Sequence, residues 1–133
     1  MQVLHLRKDV VKLVIPTFHY KDAHAAIDFL ENAFGFERHA VYEGEDGTVG
    51  HAEMKAAGGW IMLGSSRPDS PYDIGRQSVY VVITTDVDLH CERARHAGAE
   101  VFREPEDQDY GGRDYSCRDF EGNIWSFGTY APS

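Results

Sequence analysis

The sequence contains no apolar run near the ~20 residues that a membrane-spanning helix requires. Cysteine is scarce: Cys91 and Cys117 are the only two. They make neither a disulfide framework nor a CxxC pair. Basic residues are also few, with 13 Lys+Arg against 22 Asp+Glu and a formal net charge of −9. Nucleic acids and anionic membranes are both held by clustered Lys and Arg, so neither is an expected partner. The start, Met1–Asp9, is polar and lacks the apolar stretch of a secretory signal, which makes the cytoplasm the expected compartment. What is present is an ordinary globular composition: 133 residues, 42% hydrophobic and 26% charged. That predicts one domain over residues 1–133, long enough to bury a real core. Seven histidines among many carboxylates hint at metal chemistry.

An internal repeat organises the chain. Asp22 corresponds to Asp86, Ala33 to Ala97, Gly47 to Gly111, Gly58 to Gly122 and Gly64 to Gly128, a common offset of 64 residues. Each half begins with a short β-branched run, Lys12–Pro16 or Val79–Ile83, that reads as a strand. An aspartate able to cap a helix follows, Asp22 or Asp86. Helices are predicted over 23–34 and 87–97. In the first, Ala26, Phe29, Leu30, Ala33 and Phe34 form one apolar stripe, closed by Gly35. Three strands follow each helix: about 36–43, 49–55 and 60–64, then 99–103, 113–118 and 123–129. The expected class is α+β, two βαβββ modules about a pseudo-twofold, forming a cupped mixed sheet. Module 1 spans about 11–65, the linker about 66–77, and module 2 about 78–130.

A sheet covered by a helix on one face is apolar there and free to be polar on the other. Ala52, Met54, Ile61 and Leu63 suit the helix side. His51, Glu53, Trp60 and Met62 then face away, with Glu53 opposite Met62 across a short turn at Ala57-Gly58. Applied at the same offset, the repeat puts Tyr115, Cys117, Ile124 and Ser126 on the corresponding face, with Arg113 beside Tyr115. The expected ligand-binding set is His51, Glu53, Trp60, Met62, Arg113, Tyr115 and Ser126, polar anchors around aromatic surface. His19, His24, His39, His90 and His96 are expected to be solvated, and His5 to lie in a loosely ordered tail.

The segments HYKDAHAAIDFLENAFGF, VGHAEM, WIMLG, DVDLHCERARHAGAEV, GGRDY and RDFEGNIWSFGTY closely resemble the glyoxalase / bleomycin resistance / extradiol dioxygenase superfamily, also called vicinal oxygen chelate, and most nearly its PhnB-like branch. The likeness spans about residues 11–130. One departure is Asp119-Phe120-Glu121-Gly122, where the family commonly has Asp-Pro-x-Gly; losing proline there is expected to loosen a turn. The resemblance implies paired βαβββ modules and a homodimer. In metal-dependent members, four ligands come from the first and last strand of each module. By position these fall at Ile15, Met62, Val79 and Ser126. None supplies the imidazole or carboxylate that a divalent ion needs, so no metal or other cofactor is expected at the usual place.

Two functions follow from the resemblance. One is a metal-free binding protein that sequesters a small molecule, such as a cationic antibiotic, in a cleft. Acidic residues in two repeat-related loops suit such a ligand: Glu43, Glu45 and Asp46, then Glu104, Glu106, Asp107 and Asp109. The other is a lyase, isomerase or dioxygenase, with a displaced divalent metal at His51 and Glu53, or with Glu53 as general base and Arg113 stabilising an oxyanion. His51, Glu53 and Arg113 are the catalytic candidates under that reading.

Overall fold

The computed structural model describes residues 13–133. Lys12, His5 and the polar stretch Met1–Asp9 lie outside the described residues. The order is β1 (Thr17–Tyr20), α1 (Ala23–Phe34), β2 (Glu37–Glu43), β3 (Val49–Ala56), β4 (Gly59–Ser65), β5 (Ser78–Val82), α2 (Val87–His96), β6 (Glu100–Asp107), β7 (Arg113–Arg118) and β8 (Ile124–Gly128). This is βαβββ twice. The strands form two four-stranded mixed sheets, ordered β1-β4-β3-β2 and β5-β8-β7-β6, with the first and last strand of each module parallel. Among the described residues, no helix is long and apolar enough to cross a membrane.

Local chemistry explains the boundaries. The Asp22 carboxylate accepts a hydrogen bond from the Ala25 amide, and Asp86 does the same for Leu89. Gly35 closes α1 at φ 74°, a backbone region that glycine enters without strain. In the first strand the apolar run misled: Leu13–Pro16 is irregular, and the strand is the next four residues. Thr17-Phe18-His19-Tyr20 alternates, sending Phe18 and Tyr20 into the core, whereas Val14 is 94% exposed. β6 runs four residues further than its apolar pattern predicts. It is an edge strand, so Pro105 withdraws no needed ladder donor.

One core runs through both modules. Phe18 of β1 stacks on Trp125 of β8 at 4.9 Å, and Phe34 at the end of α1 lies 4.6 Å from Phe127. Both sheets therefore turn their helix sides toward this shared core, and their polar faces point away from it. A buried carboxylate clasps the modules together. Asp119 accepts from the Tyr20 hydroxyl at 2.8 Å, from Trp125 Nε1 at 3.1 Å and from the Asn123 side chain at 3.1 Å. Its other oxygen accepts from the Glu121 and Asn123 amides, so side-chain hydrogen bonds hold the turn that lacks proline. Glu121 in turn accepts from the Lys21 and Asp22 amides at the start of α1.

Candidate functional site

The polar face of the first sheet carries the expected side chains. Glu53 lies opposite Met62 and Lys55 opposite Trp60, while Ala52, Met54, Ile61 and Leu63 are buried on the helix side. His51 Nε2 is 3.0 Å from Glu53 Oε2. Two further residues, unanticipated from sequence, complete a cleft. Thr17 and His19 share this face because Phe18 and Tyr20 point into the core. The cleft has a volume of about 240 Å³ and is lined by Thr17, His19, His51, Met62, Gly64 and Tyr72, among others. Tyr72 stacks on His19 in its wall, and His51, which also lines it, stacks on Tyr42 outside the lining, each pair with ring centroids 6.1 Å apart. Between them Gly64 leaves the floor open; a Cβ there would lie 3.1 Å from the Gly50 carbonyl oxygen. His19 Nδ1 is buried and has no hydrogen-bond partner among the described residues. The signal for His19 was the two-residue alternation of β1, obscured by the stronger apolar run before it. Trp60 stands at the other end of the face, edge-on to His39 at 5.0 Å and beneath Lys55 Nζ at 5.9 Å.

The second sheet departs from expectation by one residue. Ser126 keeps its place on the polar face, but its partner on β7 is Ser116, not Cys117. The offset between the halves is 64 residues at β4 and β8 and 63 at β3 and β7. Tyr115 and Cys117 pair with Phe127 and Trp125 and are buried in the core. The Tyr115 hydroxyl shares a 2.6 Å hydrogen bond with His90 Nδ1. His90 is therefore part-buried rather than solvated, and burial, with Arg93 nearby, lowers its pKa to about 4. Arg113 follows Tyr115 to the helix side, where its guanidinium engages Asp88 of α2 in two 3.0 Å hydrogen bonds and also Asp107. It therefore sits on the helix side of β7 and not on the polar face with Ser126.

A different network occupies that polar face. Ser126 Oγ lies 2.7 Å from Ser116 Oγ, Arg103 donates to Ser116 and Asp114, and Gln108 and Tyr110 also donate to Asp114. Burial pushes the Asp114 carboxyl up, but the hydrogen bonds from Arg103 and Gln108 outweigh it and hold the group below the usual carboxylate range. Tyr80 shares this face, in register with Ser126. The acidic loops are partly spent. Glu43 pairs with His24, Glu104 with Arg95, Glu106 with Arg103 and Asp107 with Arg113.

The Glyoxalase/Bleomycin resistance protein/Dioxygenase superfamily pattern matches residues 13–127. The chain belongs to this superfamily. An uncharacterized Mycobacterium bovis protein is 36% identical over 115 residues, covering 80% of this chain and 76% of that protein. Among solved structures, TioX from Micromonospora sp. ML1 superposes with a TM-score of 0.71 at 28% identity, covering 92% of this chain and 98% of that one. The Listeria monocytogenes fosfomycin resistance protein FosX, solved with Mn(II) and sulfate, gives 0.68 at 22%, covering 92% of each, a likeness of fold. The four superfamily ligand positions can now be placed. Met62 and Ser126 lie on the polar faces of the last strands, and Ile15 precedes β1. Val79 pairs with Trp125 and packs against the core, so the polar face of β5 is carried by Ser78 and Tyr80 instead. None of these positions offers imidazole or carboxylate, and Ser126 Oγ is already shared with Ser116.

Proposed function

We propose that this protein is a metal-free member of the superfamily, of PhnB-like type by its motifs, that binds a flat, cationic small molecule in the His19–His51 cleft and holds it without reaction. The observation carrying this reading is the cleft itself: about 240 Å³, lined by the stacked His19–Tyr72 pair and by His51. Aromatic faces and a net charge of −9 favour a cation, and Glu53 is the nearby carboxylate. The ion pairs in the acidic loops shorten their reach, so stacking supplies more of the selectivity than long-range field. A thioether, one hydroxyl and two alkyl groups, from Met62, Ser126, Ile15 and Val79, do not fit a divalent ion, and no step is assigned to one. Two free, buried thiols, Cys91 and Cys117, suit a reducing cytoplasm. The outward-turned polar faces suit a second copy of the chain, giving a homodimer of twice 15.0 kDa.

The test is a fluorescence titration with metal-free bleomycin, a cationic glycopeptide, in chelator. Trp60 reports from the same face, and Trp125 is fully buried. A saturable change is expected, lost in Trp60→Phe and weakened in His51→Ala. No response from the wild type overturns the assignment of a cationic glycopeptide-like ligand.

The His51–Glu53 pair supports a second reading, proton transfer by a lyase or isomerase that needs no metal. Hydrogen–deuterium exchange at an acidic carbon of the ligand, lost in Glu53→Gln, supports it; no exchange leaves sequestration.

A further inference from the structure

A larger cavity, of about 340 Å³, lies at the seam between the modules and shares no lining residue with the His19–His51 cleft. Module 1 contributes Phe34, Phe36 and the turn at Gly58; module 2 contributes Val82, His90 and Arg93. Its size falls in the range of small-ligand sites. The walls combine aromatic and aliphatic groups with the hydroxyls of Thr84 and Thr85, and Arg93 is the one charged residue among them. Its guanidinium is held in place by carbonyls: Nε donates to Asn32 O at 3.0 Å and Nη2 to Glu31 O at 3.1 Å, at the end of α1. Nη1 sits over Gly35, where a Cβ would lie 3.0 Å away. Among the described residues Nη1 has no hydrogen-bond partner, and Arg93 has no carboxylate within ion-pair distance. His90 adds a ring and no charge, since its Nδ1 is engaged by Tyr115 and burial keeps it neutral near pH 7.

A fixed, uncompensated guanidinium at the edge of an aromatic pocket selects an anion with a flat apolar body. We infer that this seam is a second binding site, for a small aromatic carboxylate, with the ring system against Phe34, Phe36 and His90 and the carboxylate on Arg93 Nη1. The occupant touches both modules, so its binding ties their relative placement to ligand concentration.

The probes are 1-naphthoate and its neutral analogue 1-naphthamide, followed by calorimetry and by backbone amide shifts. The acid is expected to bind about tenfold more tightly than the amide, the worth of one charge-assisted hydrogen bond. Shifts should concentrate at residues 34–36 and 82–85. Arg93→Gln should erase the preference for the acid. Because Arg93 also holds the end of α1, Gly58→Trp supplies an independent arm: Gly58 lines the cavity and a Cβ there meets nothing within 4 Å, so a bulky side chain at this turn is expected to crowd the mouth and weaken binding of both probes. Equal affinity for acid and amide, an unchanged preference in Arg93→Gln, full binding in Gly58→Trp, or shifts confined to the His19–His51 cleft would each overturn the assignment.

Discussion

Replacing Asp119 with alanine should separate the two modules' stabilities more than any single change in the candidate site. The residue is 5% exposed, and its carboxylate serves two donors that have no water to turn to: the Tyr20 hydroxyl and the Trp125 indole, both on fully buried side chains. Burial first, then the adjacent Asp119 charge, pushes the Tyr20 hydroxyl pKa well above its ordinary value, so it remains a donor throughout the accessible pH range. Each orphaned buried donor costs about 1–3 kcal/mol. The Glu121 and Asn123 amides and the Asn123 side chain lose acceptors too, though the nearby turn lets some reach solvent. Relief of the buried charge offsets part of this, leaving an expected loss of about 3–5 kcal/mol, a large share of the ~5–15 kcal/mol typical of a domain. Urea unfolding followed by circular dichroism measures it, with Asp119→Asn as the milder variant. Tyr20→Phe completes a double-mutant cycle, in which a coupling of about 1–3 kcal/mol is expected for the shared hydrogen bond. A loss below about 1 kcal/mol in Asp119→Ala, or no coupling, refutes the view that this carboxylate holds the modules together.

His90 gives a pH signature. Its pKa falls from the usual 6.5 to about 4 in the folded state, so as pH drops from 6.5 toward 4 the unfolded chain takes up the proton first and stability declines. The decline is at most about 3 kcal/mol, is absent above pH 6.5, and should be flattened in His90→Gln when unfolding is measured as a function of pH. Gly128→Ala places a Cβ 2.5 Å from the Tyr80 hydroxyl and 2.6 Å from Asp114 Cβ, and backbone-linked Asp114 cannot swing aside. Urea unfolding should show a loss of about 1–3 kcal/mol. His19→Ala should weaken ligand binding in the first cleft while leaving the unfolding free energy within about 0.5 kcal/mol, because its buried Nδ1 has no hydrogen-bond partner to lose among the described residues. Light scattering should give a mass of twice 15.0 kDa; a monomer at micromolar concentration removes the homodimer from the account.

The repeat made the architecture legible. Helix α1 was readable to the residue because stripe, aspartate cap and terminal glycine agree. The β3–β4 hairpin was equally clear, since two strands of opposite polarity fix each other's register and place Glu53 against Met62. The second module's site was misplaced by a single residue. Asp86 stands three residues after the inward Ile83, whereas Asp22 stands two after Tyr20, and the loop before β7 absorbs a similar slip. In a strand, one residue reverses every side chain, which carried Tyr115, Arg113 and Val79 to the core side and put Ser116, Asp114 and Tyr80 in their stead. His19 and Tyr72 were missed for another reason. The alternation of β1 marks the face His19 takes, but its meeting with Tyr72 depends on how segment 66–77 folds back over β1, a long-range contact that no local pattern signals.

The proposal that the His19–His51 cleft binds its ligand without a divalent ion stands or falls on calorimetric titration of metal-free bleomycin in excess chelator. Saturable binding, weakened by His51→Ala, is expected; no heat of binding from the wild type in chelator overturns it.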